Sequence, residues 1–300
     1  MTSSRNIALG LFWASLAILI WSGSLVLLRV GVTTSLTAYD LTALRFGVAG
    51  TLLLPVLIRK GAGADRQDLI SVLLMIAMFG APYVLLLSLA VKTAPAAAAG
   101  ALNPGVMAVA SVIMARLIYR ETLGTARLLG IALTALGIVG FLFEGDVAFG
   151  HAILLATGIM WAGYAAIMRS RRIPALTATA LVAVGSAALY LPVYVLALPK
   201  QIADTSLQTI LLQAGFQGVL VTTIAVYAFS RSAELLGPGA GTSLPALIPV
   251  VTLGLEILVL RETPHLGDVA GACLVTFGVA LVLAGGRFAG VPRKRPIVEG

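Results

Sequence analysis

Two stretches of sequence decide the fold: GALNPGVMAVASVIMARLIYRET at residues 100–122 and GTSLPALIPVVTLGLEILVLRET at residues 241–263. Each begins with glycine, has a proline four residues later, continues as an apolar run and ends in Arg-Glu-Thr. Each is long enough to cross the hydrocarbon core of a bilayer, which takes about 20 residues of helix. The shared layout, 141 residues apart, predicts a duplicated membrane helix.

The composition extends this prediction to the whole chain. Of the 300 residues, 59% are hydrophobic and only 11% are charged, and the mean hydropathy is +1.04. A soluble globular protein is excluded, because its surface needs about 25–35% charged residues. The net charge of +8 does not indicate nucleic acid as a partner, because the Lys and Arg residues lie in short gaps between apolar runs.

Charged and turn residues divide the chain into ten apolar runs, and each run is predicted to be a transmembrane helix. Helices are expected rather than barrel strands, because the runs are continuous and do not alternate. The runs are 7–29, 38–58, 69–91, 95–118, 126–144, 149–169, 175–198, 207–230, 239–260 and 266–286.

The distribution of Lys and Arg predicts how the chain is oriented. With the N-terminus in the cytoplasm, 15 of these residues lie on the cytoplasmic side and four on the outer side. Positive residues concentrate in cytoplasmic loops. We therefore expect a multi-pass protein of a bacterial-type inner (plasma) membrane, with both termini cytoplasmic.

The duplication involves more than one helix. At offsets of 140 and 141 residues, further identities pair Gly10, Trp21, Gly23, Arg29, Gly130 and Gly137 with Gly150, Trp161, Gly163, Arg169, Gly271 and Gly278. Five spans per copy is an odd number, so the second copy enters the membrane from the opposite side. The expected fold is an all-α integral membrane protein with ten transmembrane helices in two inverted-topology five-helix repeats. The repeats are 1–145 and 146–287, followed by a basic cytoplasmic tail at 288–300.

This pattern resembles a known family. Two five-helix copies, each ending in proline, an apolar run, Arg-Glu-Thr and a Gly-rich last helix, resemble the EamA type of the drug/metabolite transporter superfamily. The resemblance covers nearly the whole chain, and it implies secondary transport of small metabolites, often export of amino acids or related compounds. One departure is that Pro249 precedes Glu262 by thirteen residues, as is frequent in the family, whereas Ala108 holds that position in the first copy.

Interruptions in the fourth and ninth spans indicate a substrate site. Pro104, Pro245 and Pro249 each remove a helix hydrogen bond. Matched breaks in corresponding spans of two halves mark transporter sites, although a kink for packing is the alternative. Asn103 and Ser243 lie beside the breaks and are predicted to bond the substrate.

Aromatic residues inside the spans are further candidates. Trp21 and Trp161 occupy equivalent positions in the two repeats and lie deep in their spans, where each indole N–H needs a partner or a wet cavity. Tyr83, Tyr164 and Tyr227 also lie within spans. We expect these five residues to line a substrate cavity, with plain packing in the bundle as the alternative.

Two charged residues, Arg45 and Glu256, lie inside predicted spans without charged counterparts in the other repeat. Charges at membrane depth are costly and are usually paired or functional. Three interpretations stay open: Glu256 binds a coupling proton or a substrate ammonium group, Arg45 and Glu256 form a pair, or each side chain reaches the nearby interface.

The sequence does not indicate an enzyme. It has no phosphate-binding loop for ATP hydrolysis, and His151 and His265 lie far from any cluster of metal ligands, so neither a metal nor a cofactor is expected. The predicted function is secondary active export of an amino acid, an amino-acid-derived compound or a drug-like molecule by alternating access. The alternatives are an importer or facilitator of a vitamin or nucleotide-like solute, and a membrane scaffold without transport. The expected partners are a small-molecule substrate, a coupling proton and membrane lipid, and no feature indicates an oligomeric state.

Overall fold

A computed structural model describes residues 4–59, 69–120, 123–143 and 149–285, with the backbone only at 4–5, 118–119, 143 and 237–244. The predicted tail at 288–300 lies outside this description. Within the described residues all regular structure is helical. The helices are α1 (Ser4–Thr34), α2 (Ala38–Arg59), α3 (Leu69–Phe79), α4 (Ala81–Thr93), α5 (Ala96–Tyr119), α6 (Thr125–Phe143), α7 (Phe149–Arg171), α8 (Ala175–Ala197), α9 (Leu207–Gln213), α10 (Ala225–Ser243), α11 (Ile248–Leu260) and α12 (Leu266–Gly285).

These helices confirm the ten predicted spans. In the described part of the chain, nine helical stretches are long and apolar enough to cross a membrane, and the shorter Pro245–Leu260 is the tenth. Helices α3 and α4 form one span, and a π-helical segment at Ala214–Ile224 joins α9 to α10 in another. The ninth span was predicted from residue 239, but α10 continues to Ser243, and the ninth span begins after it.

The last helices of the two repeats, α6 and α12, pack against each other in opposite directions. A Cβ added at Gly137 would lie 2.8 Å from the backbone oxygen of Gly271, and one added at Gly130 would lie 2.7 Å from that of Gly278. Only glycine permits this approach of two backbones, a common way of packing helices in membranes.

The repeat is also visible in the backbone. Arg120 and Arg261 end α5 and α11, and both are left-handed, with φ of 54° and 55°. This conformation ends many helices, usually at glycine or asparagine. Equivalent arginines in the same uncommon conformation support two copies of one five-helix unit.

A bend at Gly80 breaks the third span into α3 and α4. The Ala81 amide donates to Ser186 Oγ of α8 at 3.0 Å, and no side chain fits at Gly80, because a Cβ would overlap Ser186 and the Ile76 carbonyl. The bend directs Phe79 and Tyr83, on either side of it, toward the centre of the bundle.

Candidate substrate cavity

A cavity of about 140 Å³ lies at the centre of the bundle. Its wall takes residues from α1, α2, α3, α4 and α5 of the first repeat and from α7, α8, α10, α11 and the π-helical segment of the second. The site therefore lies between the repeats. Of the residues predicted from sequence, it brings together Trp21, Arg45, Tyr83, Asn103, Pro104, Trp161 and Tyr164.

One wall of the cavity is aromatic, with Phe79 at its centre. The Phe79 ring stacks on Tyr164 with centroids 4.4 Å apart and planes inclined by 9°. It also lies 4.9 Å from the ring of Tyr83 and 5.7 Å from that of Trp161. These rings form an apolar aromatic wall against which a planar or apolar group can pack.

Asn103 holds the polar side of this wall in place. The Tyr83 hydroxyl donates to Asn103 Oδ1 at 3.2 Å, and Asn103 Nδ2 donates to Thr157 Oγ1 at 2.9 Å. The Asn103 side chain is buried and joins α4 to α7 through α5. Pro104 follows it and lines the cavity, but α5 is continuous from Ala96 to Tyr119, so the break predicted at Pro104 is not seen in this helix.

Trp21 lines the cavity from α1, and its ring packs against Phe229 at 5.5 Å. Tyr227 does not join the site, because its side chain is 57% exposed on the outer face, where its ring packs edge-on against Trp13. Helical periodicity explains the difference, since a residue two positions from Phe229 points to another face.

A larger chamber of about 440 Å³ continues from the cavity and shares Trp21, Phe79, Trp161 and Tyr164 with it. The chamber extends toward the end of the bundle where α1 begins, which we call the N-terminal end. Its lining reaches the last turns of α5, α7 and α12 and the first turns of α6 and α8, and it includes Pro245 of the ninth span.

At the opposite end, Arg29 of α1 closes the bundle. Its guanidinium pairs with Glu262 at 3.0 Å, and its Nη1 donates to the carbonyls of Val91 and Ala94 at 3.1 and 2.9 Å. One side chain thereby joins α1, the end of α4 and the segment that follows α11. We call these contacts the Arg29 seal.

Asp40 strengthens the same end. Its carboxylate is fully buried and accepts from the Tyr194 hydroxyl at 2.6 Å, the Gln201 amide at 3.1 Å and the Thr37 hydroxyl at 2.7 Å. These bonds fasten the loop after α8 to the first turn of α2. The cavity is thus continuous with the chamber on one side and covered by polar contacts on the other.

Arg45 and Glu256 lie in different places and make no ion pair in the described structure. Arg45 lines the cavity. Glu256 is 4% exposed, and its two oxygens accept from the amides of Ala96 and Ala97 at 2.8 Å each. These amides belong to the first turn of α5 and have no partner within that helix, so Glu256 caps α5 from α11.

Pro249 of the ninth span is not among the described residues that line the cavity. Pro249 is buried in the first turn of α11, where proline is well tolerated because the N–H it lacks has no helical partner there. The side chain of Ser243 lies outside the described residues.

Sequence reasoning missed several residues that shape the site. Phe79 precedes the Gly80 bend, and the Gly-Ala-Pro sequence that follows it was the available signal. Gln213 and Gln217 of the eighth span were also missed, although polar residues at membrane depth are a recognised signal. Gln213 Nε2 donates to the Leu27 carbonyl at 2.7 Å, and Gln217 Oε1 accepts from Ser24 Oγ at 2.8 Å, so both hold α1.

The ten apolar spans surround a central cavity that is covered at one end. This arrangement defines a multi-pass membrane protein of the transporter class. The model of the EamA-like transporter family matches the chain twice, over residues 8–143 and 148–284. The chain therefore belongs to the EamA-like transporter family, within the drug/metabolite transporter superfamily.

Solved structures support the fold. One described as "Crystal structure of protein" is 22% identical, covers 93% of this chain and 96% of its own, and has a TM-score of 0.61. No curated protein matches the chain. At this level of identity the likeness to the solved structure shows the fold alone.

Proposed function

We propose that this protein is a secondary active transporter that exports a small organic metabolite, such as an amino acid, an amino-acid-derived compound or a drug-like molecule, by alternating access. The observation that carries the proposal is the cavity between the repeats, which continues into the chamber at one end and is covered by the Arg29 seal at the other. A site that reaches one side of a membrane at a time is what alternating access requires.

The charge bias supports the direction. With 15 Lys and Arg residues on the side of the N-terminus and four on the other, the N-terminal end faces the cytoplasm of a bacterial-type inner membrane. The chamber then opens to the cytoplasm, and the Arg29 seal faces outward. In this conformation an exporter takes up its cargo.

A proton is the proposed coupling ion, and Glu256 is its proposed site. Both Glu256 oxygens accept backbone N–H groups of α5, so a proton on the carboxyl would compete with that cap. Proton binding would thereby loosen a contact between α5 and α11 near the covered end. In proteoliposomes with an imposed pH gradient, Glu256→Gln should abolish the dependence of transport on the gradient, and an unchanged dependence would reject Glu256 as the coupling group.

Metabolite profiling of cells and medium, with and without the gene, tests the main proposal. A compound that accumulates in deletion cells and disappears from the medium establishes export and identifies the cargo. The double variant Trp21→Ala, Trp161→Ala should fail to restore export, whereas Tyr227→Ala, outside the cavity, should restore it. A compound left unused in the medium by the deletion strain would contradict export and establish uptake.

A further inference from the structure

We infer that the cavity binds a small carboxylate with an uncharged, flat or apolar body, and that Arg45 binds its carboxylate group. This inference rests on the proposed transport function, because it names the class of molecule carried by that cavity. The evidence is the state of Arg45, the distribution of the acidic residues and the nature of the remaining wall.

Arg45 pairs with no acidic residue among those that the structure describes. Its side chain lines the cavity, and its Nε atom is fully buried without a hydrogen-bond partner. Tyr83 lines the same cavity, and its hydroxyl already donates to Asn103. An unpaired guanidinium in a low-dielectric site is costly, and an anion that enters the cavity would offset this cost.

No acidic residue of the described chain supplies an anion to the Arg45 guanidinium. The cavity wall contains no Asp or Glu among its described residues. Asp40, Glu256 and Glu262 are each held by other donors at the covered end. The same lack of carboxylates disfavours a substrate ammonium group, which would have no anion to pair with. Of the proposed cargoes, this favours an amino-acid-derived or drug-like carboxylate over an amino acid itself.

Three other hydroxyl groups of the wall are already bonded within the protein, and the neutral hydroxyl of Tyr164 is a weaker donor than a guanidinium. Ser24 donates to Gln217 Oε1 at 2.8 Å, Thr222 to the Gln217 carbonyl at 3.0 Å, and Thr179 to the Ala175 carbonyl at 2.8 Å. The guanidinium of Arg45 is therefore the strongest donor available to a ligand. A polyol or a sugar would find few partners here, whereas one carboxylate would find a matching fork of N–H donors.

The remainder of the wall fits an apolar body. The stacked rings of Phe79 and Tyr164, with Trp161 beside them, offer apolar aromatic surface. The chamber beyond shares these three rings and has, among its described lining residues, no carboxylate.

Three probes of similar shape test the inference: phenylacetate, its neutral counterpart phenylacetamide, and the cation phenethylamine. Their affinities for the purified protein in detergent are measured by calorimetry. The wild type should bind phenylacetate at least about tenfold more tightly than the other two, as expected for a charge-assisted pair. Arg45→Gln should lose this preference and keep its affinity for phenylacetamide. Arg231→Gln, whose arginine pairs with Glu234 on the surface, is the matched control and should bind like the wild type.

The thermal stability of the ligand-free protein separates binding from a structural role. Because Arg45→Gln removes an unpaired buried charge, its unfolding temperature should equal or exceed that of the wild type. The inference is overturned if phenylacetate fails to bind, if it binds no better than the amide, if the preference survives in Arg45→Gln, or if ligand-free Arg45→Gln is clearly less stable. These results do not depend on transport, so an absence of export in metabolite profiling would reject the proposed function separately.

Discussion

The cap that Glu256 provides to α5 leads to a quantitative prediction. In Glu256→Ala, the amides of Ala96 and Ala97 lose their acceptors while buried. A buried donor left unpaired costs about 1–3 kcal/mol, so two should lower the free energy of unfolding by about 2–6 kcal/mol. Glu256→Gln keeps one acceptor oxygen and should lose about 1–3 kcal/mol.

Unfolding by SDS titration in mixed micelles measures this loss. The matched control is Glu234→Ala, because Glu234 is an exposed glutamate on α10 with a single ion pair to Arg231, and it should lose less than about 1 kcal/mol. Equal losses for Glu256→Ala and Glu234→Ala would refute the capping argument. A Glu256→Gln protein that unfolds like the wild type but transports nothing would assign Glu256 to coupling alone.

Three more substitutions test other contacts. Arg29→Gln opens the Arg29 seal. In a background without the native cysteine, it should speed the reaction of a cysteine placed at Leu25 with an impermeant maleimide added outside. An unchanged rate would contradict closure of the cavity by the Arg29 seal. Gly137→Ala places a Cβ 2.8 Å from the facing backbone of α12 and should cost about 1–3 kcal/mol in the SDS titration, whereas Gly254→Ala, with nothing within 4 Å, should cost nothing. Gln217→Leu removes two bonds to α1 and should cost about 0.6–2 kcal/mol in the same titration, and no loss would show that these bonds do not stabilise the bundle.

The sequence predicted the ten spans and the inverted repeat, because both depend on local hydropathy and on identities at a fixed offset. It also predicted Trp21 and Trp161 as cavity residues, since their depth in the spans excluded an interfacial role. Tyr227 lay at similar depth but faces outward, because depth alone does not reveal which face of a helix meets the cavity.

The long-range polar contacts were beyond sequence reasoning. Arg29 ends the first predicted span with no indicated partner, yet it pairs with Glu262 and donates to the carbonyls of Val91, in α4, and Ala94, directly after it. One interpretation of the sequence paired Glu256 with Arg45, the other charged residue inside a predicted span. The partners of Glu256 are instead backbone amides. Every residue except proline carries the same backbone N–H group, so no pattern of residue types could have indicated which amides Glu256 binds.

The cap on α5 also bears on how the protein is made. The amides of Ala96 and Ala97 bind the carboxylate of Glu256, which follows them in the chain by 160 and 159 residues. At about 5–20 residues per second, the ribosome needs roughly 10–30 seconds to supply it. Until Glu256 and Glu262 have been synthesised, the start of α5 lacks its cap and Arg29 lacks its carboxylate. These two contacts of the first repeat are therefore completed only by residues of the second.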